Sequence, residues 1–179
     1  MEALLFGRLR RRLWGQVSGD RILEVGTGTG KNLSHHPVGA RVVGVDLSPG
    51  MLRRAQAKAD SQGYDIDLIL ADAQHLPFRD RVFDEAAATF VFCSVPDPVA
   101  GLREVARVSS GQVHLLEHVR SANPLAGKVM DLLNPLVVRL TGANINPKTV
   151  QNVGKAGIER DAVESRMLGV LKLIRGAAP

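Results

Sequence analysis

Three glycines at alternate positions form the most distinctive candidate binding site in the sequence. Gly26, Gly28 and Gly30 come directly after residues 21–25, a short apolar run typical of a buried strand. Glycine leaves backbone amides open to a ligand, because it has no Cβ to block the approach. The next strand-like run ends on Asp46, where a carboxylate can accept both hydroxyls of a ribose. Together these residues indicate a ligand that carries a nucleoside.

Two other nucleotide motifs fit this segment less well. A dinucleotide fingerprint would need glycine or alanine where Lys31 or Leu33 stands. A phosphate-binding P-loop would need serine or threonine after the Gly-Lys pair, where the sequence has Asn32. The segment therefore favours neither a pyrophosphate nor a triphosphate ligand.

Other reactive residue types give weaker signals. His118 follows the last apolar strand-like run, and it is the best candidate for a general base because a histidine pKa suits proton removal near neutrality. A structural hydrogen bond explains it equally well. Cys93 has no activating basic neighbour, so we expect it in the core, where apolar surroundings raise a thiol pKa. His35 and His36 would point in different directions on a helix with no third ligand nearby, so we predict surface positions and no metal site.

Strand-like and helix-like runs alternate through the middle of the chain. Strands are predicted at 21–25, 41–46, 65–70, 83–95 and 112–117, with a short helix after the glycine turn and helices at 49–61 and 98–108. Ser48 and Pro49 have the form of a helix N-cap followed by proline in the first turn. This alternation predicts an α/β fold with a doubly wound, mostly parallel Rossmann-like sheet that binds ligands beyond the carboxyl ends of its strands.

The chain is long enough for one domain and short for two, so we predict a single domain of 1–179. It is expected to comprise an N-terminal amphipathic helix (1–19), a ligand-binding core (20–120), a cap region (121–157) and a C-terminal antiparallel hairpin (158–179). Several apolar residues of the cap are expected either to line a closed pocket or to pack the cap onto the sheet. They are Met130, Leu132, Leu133, Leu136, Val137, Val138 and Leu140.

Composition excludes several functional classes. The single cysteine rules out an internal disulfide framework. The sequence also lacks an uncharged apolar run long enough to predict a membrane span. The cytoplasm is therefore the expected compartment. The net charge of +5 would suit nucleic acid, but aromatic residues make up only 4% of the chain, which leaves few stacking platforms for bases. Part of the positive charge lies in the amphipathic run from Arg8 to Trp14, which is expected either to pack on the domain or to contact a membrane surface.

Four motifs in order resemble class I S-adenosylmethionine-dependent methyltransferases over most of residues 20–120. They are the turn from Glu24 to Gly30, Asp46, Asp72 within Ala71-Asp72-Ala73, and the pair Phe83-Asp84. The resemblance implies S-adenosylmethionine as cofactor and S-adenosylhomocysteine as product. It also implies that Asp46 holds the ribose hydroxyls and that Asp72 accepts a hydrogen bond from the adenine amino group. The residues implied to bind the cofactor are Glu24, Gly26, Thr27, Gly28, Gly30, Asn32, Asp46, Leu47, Met51, Asp72, Ala73, Thr89 and Phe90.

Three further segments, 89–95, 102–108 and 117–119, resemble one branch of this family. That branch contains small bacterial methyltransferases, phospholipid N-methyltransferases, quinone-biosynthesis C-methyltransferases and the thiol methyltransferases of animal endoplasmic reticulum. The resemblance implies a small, rather apolar acceptor with a thiol, an amine or an activated carbon as nucleophile. Nucleic acid is not an expected partner, and no sequence feature indicates an oligomeric state.

Two alternative functions remain open from the sequence. A cofactor-binding regulatory or scaffold protein could retain this fold without turnover, although the intact Gly28 and Asp46 count against it. An RNA methyltransferase would use the positive charge, but the Asn/Asp-Pro-Pro-aromatic signature of amino-methylating members is absent after residues 83–90.

Overall fold

The computed structural model describes residues 2–167 and 169–179, with the backbone alone for residues 2–5 and Thr141. Met1 of the predicted N-terminal helix and Leu168 of the predicted hairpin lie outside the described residues. The elements in chain order are α1 (Glu2–Trp14), β1 (Arg21–Val25), β2 (Arg41–Asp46), α2 (Pro49–Gln62), β3 (Asp67–Leu70), β4 (Glu85–Thr89), α3 (Pro98–Val108), β5 (Gln112–His118), α4 (Pro124–Thr141), α5 (Thr149–Lys155), β6 (Glu159–Arg166) and β7 (Leu171–Ala177).

The strands form one sheet in the order β3-β2-β1-β4-β5-β7-β6. Neighbouring strands among β1 to β5 are parallel, whereas β7 is antiparallel to both β5 and β6. The chain order of the parallel strands reverses between β1 and β4, so their carboxyl ends flank a crevice at that point. The predicted fold class, a mostly parallel Rossmann-like sheet with a C-terminal antiparallel hairpin, is confirmed.

Strand β4 is shorter than the predicted run of 83–95, which is therefore wrong in its length. Its three alanines pair with β1 and β5, and the extended backbone ends at Phe90, whose φ is +59°. This conformation is rare for a bulky residue, and it turns the chain out of the sheet. Residues 91–95 consequently form a loop at the carboxyl edge rather than more strand.

Helices cover both faces of the sheet. On one face, α1 buries Leu9, Leu13 and Trp14 against residues of β1, β4 and β5. On the other face, the buried Leu102 of α3 and Val153 of α5 belong to the second apolar cluster. Helix α1 therefore packs on the domain, as one of the two sequence interpretations proposed, and full burial of such side chains contributes about 1.5–3 kcal/mol each.

The predicted cap region divides into two different parts. Helix α5 belongs to the core, because Val153 is completely buried and packs beside α3. Helix α4, by contrast, carries exposed apolar side chains, so the expected closed pocket is wrong for four of the residues assigned to it. These are Leu132, Leu133, Leu136 and Leu140, all of which are exposed. A single 3₁₀ turn, Leu33–His35, replaces the short helix predicted after the glycines. Within the described residues, no helix is long and apolar enough to cross a bilayer.

Candidate functional site

A cavity of about 530 Å³ lies at the carboxyl ends of β1, β2, β3 and β4. Most of the residues implied by the sequence to bind a cofactor are in its wall. Those that line it are Gly26, Thr27, Gly28, Asp46, Leu47, Met51, Asp72, Ala73, Thr89 and Phe90. Glu24, Gly30 and Asn32 are not among the residues that line it. The fold therefore brings together residues that are up to 64 positions apart, from Gly26 to Phe90.

The three glycines have different roles in the turn. All three have positive φ, but a Cβ at Gly26 would overlap the side chain of Val91, and one at Gly30 would lie 2.7 Å from Leu33 Cδ1. A Cβ at Gly28 would meet only the Gly26 carbonyl oxygen, at 4.0 Å. Gly26 and Gly30 thus permit close packing inside the protein, whereas Gly28 keeps the cavity itself clear.

Asp46 is held in place by the backbone on both sides of it. The Gly28 N–H donates to Asp46 Oδ2, and the Ser48 N–H donates to Asp46 Oδ1, each with a donor–acceptor distance of 2.9 Å. Ser48 is also the N-cap of α2, as predicted, because its hydroxyl accepts from the Met51 N–H. A carboxylate offers about four lone-pair sites, so two remain for a bound diol.

The far end of the cavity combines a carboxylate with apolar side chains. Asp72 accepts hydrogen bonds from the backbone and the side-chain amide of Gln74, and the backbone bond is the main reason why the Asp72 pKa is lowered. Leu47 and Met51 are 66% and 40% exposed at this end. An ionised acceptor between accessible apolar side chains suits an aromatic base with an amino group.

A buried polar network supports the turn from below. Asn32 Nδ2 donates to Glu24 Oε1 at 2.6 Å and to Thr89 Oγ1 at 2.9 Å. Arg10 of α1 donates to Asn32 Oδ1 and to Thr89 Oγ1, both at 2.8 Å. His36 Nε2 lies 3.2 Å from Glu24 Oε2. Glu24 and Asn32 therefore connect β1, the turn and β4, rather than facing the cavity.

Two members of this network differ from the sequence interpretation. The side chain of His36 is only 8% exposed and its ring centroid lies 4.5 Å from that of Trp14, so the predicted surface position is wrong. Arg10 lines the cavity and was not singled out, since it is one of four arginines in its helix. The only sequence signal was the spacing of four residues from Phe6, which puts both side chains on one face of a helix. In the structure both side chains contact Phe90.

The loop after β4 is attached to a fully buried carboxyl group. Glu117 Oε1 accepts from the Val91 N–H at 2.9 Å and from the Phe92 N–H at 3.2 Å. Burial raises the pKa of Glu117 to about 7. Cys93 is only partly buried, so the predicted core position is wrong, but burial still raises the pKa of its thiol to about 11. His118 is half-buried and is not part of the cavity wall.

Comparison with known proteins agrees with this geometry. A family model described as a methyltransferase domain matches residues 23–116. The chain is 39% identical over 124 residues to phosphatidylethanolamine N-methyltransferase of Cereibacter sphaeroides, covering 65% of this chain and 61% of that protein. It is also 39% identical over 102 residues to demethylmenaquinone methyltransferase of Thermus thermophilus, covering 54% of this chain and 46% of that protein. The chain thus spans about half to three fifths of the length of these relatives.

Solved structures share the fold at low sequence identity. The [4+2]-cyclase SpnF has a TM-score of 0.79 at 19% identity, covering 96% of this chain and 80% of its own. Geranyl diphosphate methyltransferase, solved in complex with S-adenosylmethionine, has a TM-score of 0.77 at 15% identity, covering 97% of this chain and 84% of its own. The family model covers more than half of the chain, and the chain therefore belongs to the S-adenosylmethionine-dependent methyltransferase family, as its motifs predicted.

Proposed function

We propose that this chain transfers the methyl group of S-adenosylmethionine to a small, largely apolar acceptor. One observation carries the proposal: the glycine turn, Asp46 and Asp72 share the wall of a single cavity of about 530 Å³. Small-molecule and cofactor sites typically have volumes of about 300–1,000 Å³. Relatives named for methylating phosphatidylethanolamine and demethylmenaquinone support a small acceptor.

The residues of the wall suit the parts of the cofactor in turn. The free lone pairs of Asp46 would accept the two ribose hydroxyls, and Gly28 leaves the space that the ligand needs. Asp72 would accept from the adenine amino group, with Leu47 and Met51 on either side of the ring. The lowered pKa of Asp72, caused mainly by the Gln74 backbone hydrogen bond, favours the ionised acceptor that this assignment needs.

The other end of the cavity would shield the acceptor. The rings of Phe6 and Phe90 make an edge-to-face contact with centroids 5.3 Å apart, and the Arg10 guanidinium lies 5.4 Å from the Phe90 centroid. When bound, S-adenosylmethionine would supply an activated methyl group; the acceptor atom would bond to its carbon as the sulfur–carbon bond breaks, with any acceptor proton released. The chain's own residues therefore act by positioning both molecules and excluding water.

His118 stays the proposed base for acceptors that must lose a proton. Burial lowers the pKa of His118, which favours the neutral form of the ring, the form that can accept a proton. It follows Glu117 at the end of β5, one strand away from the cavity wall at Thr89. An acceptor would have to extend past the β4 loop towards β5 in order to reach it.

Calorimetry with S-adenosylhomocysteine tests the cofactor assignment. Asp46→Ala should weaken binding by about 1.5–3 kcal/mol, the usual contribution of a charged hydrogen bond. Asp67→Ala is the matched control, because Asp67 is an exposed carboxylate outside the cavity that pairs with Arg41. Equal affinities for wild type and Asp46→Ala would remove the ribose assignment.

A labelled-methyl screen tests the acceptor class. Lipid amines, quinone precursors, alkyl thiols, protein and RNA should be offered separately with the same labelled cofactor. We expect label only in a small apolar acceptor, whereas label confined to RNA or protein would contradict the proposal. Intact cofactor binding without transfer to any acceptor would favour the regulatory or scaffold alternative.

A further inference from the structure

A second cavity, of about 540 Å³, lies beyond the carboxyl end of β5. Its wall includes Arg120 and Ser121, which follow β5, Asp131 of α4, Lys148 just before α5, and Lys172 of β7. None of these residues lines the first cavity. The methyl-transfer assignment given above leaves this cavity without a role.

The wall of the second cavity carries a net positive charge. It contains three cations, Arg120, Lys148 and Lys172, and one carboxylate, Asp131, which leaves a balance of +2. Arg120 binds Asp131 through two nitrogens, with Nη2 lying 2.8 Å from Oδ2, so that pair is neutral as a unit. Thr149 is 1% exposed in the same wall, and its hydroxyl has no hydrogen-bond partner among the described residues. These features favour an anionic ligand with acceptor oxygens.

An exposed apolar stripe runs along α4 beside this cavity. At about 100° per residue its members fall within an arc of about 100°, which places them on one side of the helix. They are Leu125, Val129, Leu132, Leu133, Leu136 and Leu140. Lys128 and Arg139 fall at one margin of the arc. An apolar stripe with a basic margin is typical of helices that lie in a bilayer interface.

The stripe, the second cavity and the first cavity are connected through few residues. Asp131 belongs both to α4 and to the wall of the second cavity. The segment 144–147 begins at Asn144, whose N–H donates to the Cys93 carbonyl in the β4 loop, and ends at Pro147, whose carbonyl accepts from the Arg120 N–H. Val91 and Ser94 of the same loop line the first cavity, and Arg120 and Pro147 line the second, so this short segment joins the walls of the two cavities.

We infer that the second cavity binds the phosphate group of a membrane phospholipid while the α4 stripe lies in the surface of the bilayer. The inference rests on the proposed function, for which it identifies the acceptor as a headgroup amine. The phosphate satisfies the surplus positive charge, the acyl chains stay with the leucines, and the amine end extends towards the β4 loop. The basic margin of α4 matches a surface that contains anionic lipids.

Sedimentation with vesicles tests the stripe. Vesicles of equal parts phosphatidylethanolamine and phosphatidylglycerol should bind the full chain without cofactor. The double variant Leu132→Ser, Leu136→Ser should bind about tenfold more weakly or worse, because two apolar side chains leave the interface. Val38→Ser with Leu70→Ser is the matched control, since both residues are exposed apolar positions outside α4, and it should bind like wild type.

The cavity needs a separate pair of variants. The double variant Lys148→Ala, Lys172→Ala should weaken vesicle binding about tenfold. Arg79→Ala, Arg160→Ala is the control with the same loss of charge, because both arginines are exposed and lie outside both cavities. It should weaken vesicle binding much less. Inorganic phosphate measured by calorimetry distinguishes the sources of the anion. Phosphate binding that depends on Lys148 and Lys172, without any vesicle binding, would overturn the lipid assignment and leave a soluble phosphate ligand.

Two further outcomes would overturn the inference. Vesicle binding that is the same in wild type and both double variants would exclude this surface. Self-association that the leucine variant abolishes, without vesicle binding, would identify a second copy of the chain as the occupant of the stripe. Calorimetry with S-adenosylhomocysteine separates the two proposals, because normal cofactor binding without vesicle binding refutes only this inference.

Discussion

The two ends of the site are built in different ways. At the β1–β3 end, Asp46 is fixed by N–H groups of Gly28 and Ser48, all within about 20 residues of the chain. At the β4–β5 end, Phe90 is contacted by Phe6 and Arg10 of α1, which are about 80 residues away in sequence, and α4 follows β5 without lining the first cavity. The stripe of α4 remains exposed there. Local backbone geometry thus suits an invariant cofactor, whereas added helices allow the acceptor to differ between relatives that share a fold.

The largest effect is expected from Gly28→Val at the β1–β3 end. A branched side chain would enter the cavity, and we expect cofactor affinity to fall about 100-fold or more. Gly63→Val is the matched control, because Gly63 has a similar φ of +71° with open space around its Cβ position. Both variants carry the same backbone strain, of about 1–2 kcal/mol. Equal loss of affinity in both, by calorimetry with circular dichroism as the folding control, would contradict this role of the turn.

Replacement of Glu117 by glutamine should alter the response of the β4–β5 end to pH. The pKa of Glu117 is about 7 in the folded protein, against 4.5 for the free side chain. Between these two pH values the folded protein keeps a proton on Glu117 that the unfolded chain has lost. The free energy of unfolding should therefore fall by about 3 kcal/mol as pH rises from about 4.5 to about 7. Glu117→Gln should lack this part of the decline while still accepting from the Val91 and Phe92 N–H groups.

Urea unfolding of wild type and Glu117→Gln at pH 5, 6 and 8 measures this difference. Glu164→Gln serves as the control, because Glu164 is partly exposed and its pKa is lowered mainly by a hydrogen bond from Arg12. Parallel pH curves for wild type and Glu117→Gln would show that the buried carboxyl does not control this end.

Arg10→Ala should have an intermediate effect, because Arg10 connects the two ends. Its guanidinium donates to Asn32 behind the turn and to Thr89 at the end of β4. Loss of these partly buried bonds should lower the free energy of unfolding by about 1–2 kcal/mol. Arg8→Ala, at an exposed position on the same helix, should change it by less than about 0.5 kcal/mol. Equal urea midpoints for Arg10→Ala and Arg8→Ala would mean that the connection adds no stability.

The smallest effect on stability is expected from Leu136→Ser in α4. Leu136 is 57% exposed, so the free energy of unfolding should change by less than about 0.5 kcal/mol. Leu102→Ala, at a fully buried position in α3, should instead cost about 2–5 kcal/mol. A loss near 2 kcal/mol for Leu136→Ser would show that α4 is part of the packed core, and the contrast between the two ends would disappear.

The accuracy of the sequence interpretation follows the same division. The glycine turn, Asp46 and the start of α2 depend on contacts between near neighbours, and each was predicted in its place. The bounds of α3, 98–108, were also predicted, since Asp97 and Pro98 form a local helix start. Helix caps and turns depend on the types of residues that are close together in the chain, so a single sequence is enough to predict them.

The features that were missed depend on contacts across the fold. The positive φ of Phe90 cannot be predicted from residue types. It depends on the strand pairing and on the hydrogen bonds between the loop after β4 and Glu117. His36 is covered by Trp14, which lies 22 residues earlier in the chain. The exposed leucines of α4 have the spacing of any amphipathic helix, and only the arrangement of the other elements determines whether such a face is covered.

The position of β7 inside the sheet also affects how the protein is made. It follows all the other described strands in the sequence, yet it lies between β5 and β6, with Gln112 opposite Ala177. During synthesis on a ribosome, β5 is translated more than fifty residues before its antiparallel neighbour is available. The edge of β5, with Val113 and Leu115, is then open to pairing with other nascent chains. Because β5 stays unpaired on this side until β7 is made, we expect chaperones and other nascent chains to contact β5 first.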